Sequence, residues 1–318
     1  MTAPSLRLLL STLIDYTGVF LPANLELANA VAAYERYSAG DHRWMLGRLV
    51  LPMVQLPQFE IYLDNLKQYY APAFWPLSIV LDPSLQTLDL LAPWLEKQYR
   101  FTVSALEFTQ GSPDAIAQLL PHLPPHSDLF FEVPLNASLP DYLAQLRGTR
   151  AAAKIQTGGP TAAAFPSVET LAQFIVACAK AKIPFKAAGG LHHPLRGLHS
   201  LPDGRLVKMH GFLNLALAAA FAYGDGATAT EIATLLQIDT PEALIFSAQE
   251  IICHSPVWSN DSDLSNIAGH LPLEILAHVR SSYFLGISAC SFHDPLIDLN
   301  RLGILKAPAP ATSCVLSV

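Results

Sequence analysis

Two lysines stand in apolar stretches that otherwise resemble buried strands. Lys154 lies within AAAKIQTGG, and Lys186 lies within KIPFKAAGGLHHP. Burial and a neighbouring cation both disfavour the charged form of an amine and lower its pKa. A lysine that is neutral near pH 7 is a nucleophile towards carbonyl carbons. The pair therefore predicts a lysine imine, and the alternative is that Glu107 and Glu132 hold both amines in buried ion pairs.

Further polar residues stand where other apolar runs end. We predict that Glu132 positions one of the two lysines, and that His192 or His193 is the general acid or base, because imidazole titrates near neutral pH. The other candidates are predicted to bind the substrate, and they are Asp15, Arg48, Asp82, Glu107, Thr157, Gly189, Gly190, His210, Ser288 and Ser291.

Several of these residues also have a purely structural interpretation. Asp15 suits a hydrogen bond to the backbone of a turn. Asp82 precedes a proline, and a helix cap is its favoured interpretation. Arg48 equally suits an ion pair with Glu107 or Glu132. Cys290, in the last apolar run, favours packing over a role as nucleophile.

The elements that must position these residues follow a simple alternation. Short apolar runs alternate with amphipathic segments whose apolar residues recur every three or four positions. Ser112 and Ser167 are typical helix N-caps within this pattern. The predicted strands are LRLLLSTLID, GRLVLPMVQL, WPLSIVLD, FTVSALEF, DLFFEVPL, AAAKIQT, IPFKAAG and YFLGISACSF.

Repeated strand–helix units predict an α/β fold whose parallel strands close into a (β/α)8 barrel, the TIM barrel. Residues 1–318 are predicted to be a single domain. The seventh crossover is much longer than the others, and we expect a helical insertion over about residues 200–280, between strands seven and eight. The insertion is a candidate lid or interface, including one between copies of this chain. Because working residues of such barrels lie where the strands end, the polar candidates are expected to meet at one face.

Composition excludes several functional classes. Of 318 residues, 51% are apolar and 14% are charged, so a large core is expected and disorder is not. The net charge of −7 provides no basic surface for nucleic acid or an anionic membrane. Four scattered cysteines include no CxxC pair, which favours neither a disulfide framework nor a zinc ribbon. We interpret the N-terminal apolar run as the first strand and not as a signal peptide, and we expect a cytoplasmic protein with no membrane span and no cofactor.

The segment from Glu132 to Gly190 resembles a known family. AKIQTGG and FKAAGG, separated by one helix, are similar to the K-x-x-T-G and K-x-A-G-G turns of deoxyribose-phosphate aldolase, a class I aldolase barrel. FFEVPL likewise resembles the glutamate-bearing fifth strand of that family. The resemblance implies that Lys154 forms the Schiff base and that Lys186 depresses its pKa. The whole chain is also similar to uncharacterised bacterial barrel proteins that share GLHHP, HGFLN and SACSF, a likeness that implies no activity.

The leading prediction is therefore a Schiff-base lyase acting on a small carbonyl substrate. A second hypothesis is metal-dependent lyase or hydrolase chemistry, in which His192, His193 and His210 with Glu132 supply nitrogen and oxygen ligands. A third is a barrel that binds a metabolite without catalysis, because this fold hosts many functions.

Overall fold

Eight parallel strands close into a barrel in the computed structural model of the protein, which describes residues 2–65, 74–96, 100–201, 203–254 and 268–305. The barrel strands are β1 (Ile14–Tyr16), β2 (Leu46–Pro52), β3 (Trp75–Leu81), β4 (Phe101–Phe108), β5 (Asp128–Glu132), β6 (Ala152–Gln156), β7 (Phe185–Ala188) and β13 (Phe284–Ala289). Around the barrel they follow the order β1, β13, β7, β6, β5, β4, β3, β2, and β2 pairs with β1 again. The predicted α/β barrel is confirmed.

Helices alternate with these strands. They are α1 (Pro4–Leu10), α2 (Leu27–Ala39), α3 (Leu56–Asn65), α4 (Leu85–Glu96), α5 (Pro113–Leu119), α6 (Leu139–Leu146), α7 (Val168–Ala181), α8 (Phe212–Gly224), α9 (Ala229–Leu235), α10 (Leu273–Ser282) and α11 (His293–Arg301). Both predicted N-caps are present: the hydroxyl of Ser112 accepts a hydrogen bond from the amide of Ala115, and that of Ser167 accepts one from the amide of Thr170. Each cap satisfies an amide that the first helical turn leaves without a partner.

The N-terminal apolar run does not form the long strand that was predicted. Its first part is the helix α1, and the strand β1 that follows has only three residues. Pro4 occupies the first helical position, where its fixed φ and missing N–H cost little. Leu6, Leu9 and Leu10 recur at helical spacing and are buried, because α1 packs against α10 and the neighbouring sheet.

The long seventh crossover contains helices, as predicted, and also strands. A hairpin of β8 (Gly197–Ser200) and β9 (Leu206–Met209) follows β7. After α8 and α9 comes an antiparallel sheet of β10 (Leu244–Phe246), β11 (Glu250–His254) and β12 (Ala268–Pro272). α8 is apolar on all sides and buried, because it packs against α7, α9 and α10.

One stretch of the described chain, Ala162–Ala181, has the length and apolar composition of a membrane-spanning helix. Most of it is α7, whose apolar face is buried against α8 and α9. The core helix of a barrel passes the same test of length and composition, so this feature is weak evidence of a membrane span. The cytoplasmic location stays a prediction.

Candidate active site

The side chains that face the barrel lumen form layers. One layer is apolar, and the next layer along the strands is charged. On three neighbouring strands an apolar residue faces the lumen, and two positions further along a charged residue faces the same way, because side chains in a strand alternate between its two faces. The pairs are Ala105 and Glu107 on β4, Phe130 and Glu132 on β5, and Ala152 and Lys154 on β6. The charged layer lies nearer the ends of the strands, where barrel enzymes do their chemistry.

Lys186, on β7, completes this layer and is fully buried. Its Nζ donates to Asp15 Oδ2 at 2.5 Å and to Glu107 Oε1 at 2.6 Å. The same ammonium lies 5.1 Å from the centre of the Phe130 ring, which is within the range of a cation–π contact. Both lysines therefore point into the lumen, where they face the carboxylates of neighbouring strands.

Glu107 is the central residue of the cluster, because it contacts both lysines. Its Oε1 accepts hydrogen bonds from Lys186 and from the hydroxyl of Ser78, which lies 2.7 Å away, and its Oε2 lies 2.9 Å from the Nζ of Lys154. Burial alone would raise the pKa of Glu107, but the two ammonium groups and these hydrogen bonds outweigh burial and hold that pKa well below its ordinary value. Glu107 is therefore an ionised carboxylate shared by two cations.

Lys154 has the environment of the alternative interpretation, an ion pair with Glu107 and Glu132, and not that of an amine with a lowered pKa. Its Nζ also lies 3.8 Å from Glu132 Oε2, and 8% of its side chain is exposed. Burial would lower the pKa of Lys154, yet Glu107 and Glu132 together raise it above its ordinary value. The expected downward shift is therefore not present, because the two carboxylates outweigh the effect of burial on the pKa of Lys154.

Asp15 and Arg48 form the floor of the cluster on the other side. Asp15 Oδ1 accepts from the backbone amide of Arg48 at 2.6 Å, and the Nη1 of Arg48 lies 3.6 Å from Asp15 Oδ2. The guanidinium also pairs with Asp128 and donates to Ser104. The predicted alternative of an ion pair between Arg48 and Glu107 or Glu132 is wrong, since its carboxylate partners are Asp15 and Asp128. Arg48 and Asp15 lie beneath the cavity and do not line it.

A cavity of about 1010 Å³ opens above Lys154 at the ends of the strands. Its inner wall includes Lys154, Glu107, Glu132 and Ser288. The hydroxyl of Ser288 is buried and has no hydrogen-bond partner within the described part of the chain. A buried hydroxyl without a partner is costly, and one that faces a cavity is free to bond to a ligand.

The turns after β6 and β7 close tightly on each other beside this cavity. Gly189 has φ +81°, and a side chain there would meet the carbonyl oxygen of Gly158. Gly190 has φ +70° and faces Gly158 and Phe165. The buried hydroxyl of Thr157 donates to the carbonyl oxygens of residues 188 and 189. Thr157 therefore holds the two turns together and does not line the cavity, whereas Gly189 and Gly190 do.

The rim of the cavity has two histidines with different partners. His192 Nε2 lies 3.6 Å from the sulfur of Cys290, and its Nδ1 lies 3.5 Å from Asp294 Oδ2. His193 Nδ1 lies 2.5 Å from Asp298 Oδ2. Burial would lower the pKa of His192, but Asp294 and Cys290 raise it to about 9, so its imidazole is protonated at neutral pH.

Two predicted substrate-binding residues, Asp82 and His210, lie away from the inner wall. Asp82 accepts a hydrogen bond from Thr109 and does not line the cavity. The amide of Thr87 is capped by the Ser84 hydroxyl at the start of α4, so Asp82 does not provide that cap. His210 is buried, and its ring donates to the Pro166 carbonyl, 2.8 Å away.

Ser291 does line the cavity, and its hydroxyl accepts a hydrogen bond from the amide of Asp294 in the first turn of α11. Within the described ranges no group of three or more histidine, cysteine, aspartate or glutamate side chains is arranged to hold a metal ion. His192, His193 and His210 each have their own partners and do not converge on one point.

Sequence reasoning missed the partners at the rim. Asp294 and Asp298 were not candidates, and Cys290 was assigned to packing. Asp294 stands four residues after Cys290 at the start of a helix, and this spacing was the available signal. Gln156 was also missed: its amide donates to Glu132 Oε2 at 3.0 Å and orients that carboxylate beside Lys154.

Comparison with known proteins adds no relative to this geometry. The chain matches no known protein-family model. No curated protein is significantly similar to it in sequence. The site must therefore be interpreted from its own contacts.

Proposed function

We propose that the protein is a lyase of the class I aldolase type, in which Lys154 forms an imine with a small carbonyl substrate. One observation carries this proposal: Lys154 lines a cavity and shares the carboxylate of Glu107 with a second, fully buried lysine. A cavity gives a substrate access to the amine, and the carboxylate provides a place for its proton.

The first step is the loss of a proton from Lys154. Glu107 Oε2 is the acceptor at 2.9 Å, while Oε1 keeps its hydrogen bonds from Lys186 and Ser78. The transfer converts an ion pair into a neutral amine and a carboxylic acid, and Lys186 stays charged beside Asp15. The net charge of the buried cluster does not change, so the transfer avoids the cost of creating an unpaired charge in the barrel.

The second step is attack of the amine on the carbonyl carbon. A C–N bond forms as the C=O π bond breaks, and a proton moves from the added nitrogen to the alkoxide. Glu107 then returns its proton to the resulting hydroxyl, which leaves as water. The iminium ion is stabilised by the carboxylates of Glu107 and Glu132. Cleavage of the neighbouring C–C bond then sends its electron pair into the iminium, while the proton of the hydroxyl on the departing carbon passes to the neutral form of His192. This gives an enamine on Lys154 and a second carbonyl compound, and protonation of the enamine carbon followed by addition of water releases the first.

A residue at the rim carries the proton that the oxygen of the second carbonyl compound gains or loses. In the direction of synthesis, the protonated His192 donates a proton to its oxygen as the C–C bond forms. The unpaired hydroxyl of Ser288, on the inner wall, is the donor for an oxygen of the imine-bound part. His193 is held by Asp298, and it helps to position the other residues of the rim.

The cavity favours a substrate without a phosphate group. Among the described residues that line it, Lys154 is the sole lysine or arginine, and its charge is already balanced by two carboxylates. Asp294 occupies the first turn of α11, where it repels an anion that the helix N-terminus would otherwise attract. Phe165, Leu201 and Met209 contribute apolar wall. We therefore assign a neutral aldehyde or ketone as the substrate class.

A second candidate function follows from the raised pKa of Lys154. With a pKa above the ordinary value, Lys154 is charged at pH 7 in almost every molecule. An ammonium held by Glu107 and Glu132 is also a hydrogen-bond donor for a carbonyl oxygen, without any covalent step. In this alternative the barrel binds the same class of metabolite reversibly.

Reductive trapping separates the two functions. The protein is incubated with a panel of small aldehydes and ketones and sodium cyanoborohydride, and tryptic peptides are read by mass spectrometry. Imine chemistry predicts a stable adduct on Lys154 that is absent from Lys154→Met, and the exposed Lys180 provides the background rate within the same digest. Binding without an adduct above that background, across the whole panel, contradicts the lyase and supports the binding protein.

A further inference from the structure

A cysteine, a histidine and a carboxylate stand in a row across the rim of the cavity. Cys290 directly follows β13, and His192 lies in the loop after β7, the neighbouring strand. The sulfur lies 3.6 Å from His192 Nε2, and His192 Nδ1 lies 3.5 Å from Asp294 Oδ2 on α11. All three residues line the cavity, and Cys290 is partly exposed to it. The imine mechanism uses neither the sulfur nor the carboxylate.

The described groups that face the sulfur include one cation. His192 is protonated at neutral pH, and an adjacent imidazolium stabilises a thiolate. From β1, Tyr16 faces the sulfur, and burial raises the pKa of Tyr16, so that its phenol stays neutral. Burial likewise raises the pKa of Tyr37, which faces Asp294 from α2, so that its phenol also stays neutral. The charges that face Cys290 are therefore the imidazolium of His192 and, behind it, the carboxylate of Asp294.

The other described cysteines have the opposite environment. Cys178 lies in α7 and Cys253 lies in β11, and both are buried among apolar side chains. Burial raises the pKa of Cys178, and it raises that of Cys253 to about 12, so both stay thiols. Cys314 lies outside the described residues. Within one chain, Cys290 therefore differs from two internal references in its exposure and in its contact with a histidine.

We propose that Cys290 is a reactive thiol site in the cavity wall, which small hydroperoxides oxidise to a sulfenic acid with His192 as the proton donor. The thiolate attacks one peroxide oxygen, an S–O bond forms and the O–O bond breaks. The sulfur loses two electrons, the peroxide gains them, and the leaving oxygen takes the proton from His192 Nε2. Asp294, 3.5 Å from Nδ1, stabilises the positive charge of the ring before the transfer.

The site is independent of the imine. No atom of Lys154 takes part, and the oxidised sulfur remains on the rim, beside the route into the cavity. The chemical class of reactant is small, uncharged and oxidising, since the sulfur faces a space rimmed by Gly190, Ser291 and the imidazolium. A thiol reductant reverses the modification by reducing the sulfenic acid.

Peroxide oxidation of the intact protein tests this inference. Hydrogen peroxide is added at about pH 6.5, sulfenic acid is trapped with dimedone, and the labelled fraction of each cysteine peptide is followed by mass spectrometry. An ordinary thiol is only about 1% thiolate at that pH, so His192→Asn is expected to slow labelling of Cys290 by on the order of 10-fold or more. The two rates should converge above about pH 9, where an ordinary thiol is itself ionised.

Matched controls separate chemistry from misfolding. His270→Asn removes an exposed histidine on β12 and should leave the rate at Cys290 unchanged. Cys178 and Cys253 should stay unlabelled in every folded sample, and their labelling marks a variant that has unfolded. If a variant unfolds, the wild-type protein alone provides a second test. Its Cys290 should be alkylated by iodoacetamide at a rate that stays nearly constant from about pH 6.5 to 8.5.

Two results would overturn the proposal. One is a folded His192→Asn protein whose Cys290 is oxidised as fast as in the wild type at about pH 6.5. The other is a wild-type alkylation rate at Cys290 that falls about tenfold per pH unit below pH 8, as for an isolated thiol. Neither result bears on the adduct at Lys154, so the failure of this inference and that of the lyase are distinguishable.

Discussion

Lys186 is predicted to stabilise the fold strongly, although its charge costs free energy to bury. Substitution Lys186→Met replaces the stem with an apolar chain of similar length and removes the ammonium. Asp15 and Glu107 then lose the ammonium that lies 2.5 and 2.6 Å from their carboxylate oxygens. Both carboxylates are buried, since only 5% and 1% of their side chains are exposed. Loss of one partner from a buried ion pair costs about 3–5 kcal/mol. We expect a loss of free energy of unfolding in that range.

The pH dependence of this loss has a definite sign. In the wild type, the folded pKa of Glu107 lies below its unfolded value, so its stabilisation is complete above about pH 4.5 and declines as the pH falls through the folded pKa. In Lys186→Met the same carboxylate has one cation fewer, and protonation relieves the cost of its burial. The difference in stability between wild type and variant should therefore narrow as the pH is lowered from about 7 to 4.

Urea unfolding followed by circular dichroism measures both effects. Lys180→Met, at an exposed position of α7, is the matched control and should stay within about 0.5 kcal/mol of the wild type. A double-mutant cycle with Glu107→Gln should show a coupling free energy, because the two residues share a buried contact. A loss below about 1 kcal/mol, or one that does not change with pH, would refute the reasoning.

Two further predictions concern the rim and the imine. Because Glu107 accepts the proton of Lys154 within the cluster, the reactive pair has as many protons as the ion pair, so the rate of reductive trapping should change little between about pH 7 and 9. Glu132→Gln should raise that rate, since Glu132 helps to keep Lys154 charged, and a rate that rises about tenfold per pH unit would contradict the transfer to Glu107. His192 has a folded pKa of about 9, above its unfolded value near 6.5, so its stabilisation is complete below pH 6.5 and is lost as the pH rises to 9. Thermal unfolding should show that loss in the wild type and not in His192→Asn.

Much of the fold follows from local patterns in the chain. FTVSALEF and LPDYLAQL coincide with β4 and α6, because turn residues bound each run and its period is clear. The prediction of a strand for the first apolar run was wrong, because LRLLL is compatible with both a strand pattern and a helical pattern. Tertiary contacts decide such a case, and here the packing of α1 on α10 selected the helix.

The site was predictable in its members but not in its electrostatics. Barrel order placed Lys154 and Lys186 on neighbouring strands, and their paired register agrees with that expectation. The direction of the pKa shift depends on where the carboxylate of Glu107 lies between them, to within an ångström or two. No sequence pattern encodes that distance. The contact between Cys290 and His192 joins residues 98 positions apart, which local reasoning could not bring together.

The pairing of β1 with β13 has a consequence for the synthesis of the protein. Asp15 leaves the ribosome early, yet its partner Lys186 is 171 positions behind it, and β13, which joins β1 to β7, is translated later still. A nascent chain that stops before β13 leaves its cylinder open, with water in contact with groups that the finished protein keeps dry. The buried cluster of charges is thus completed only at the end of translation, when β13 closes the barrel.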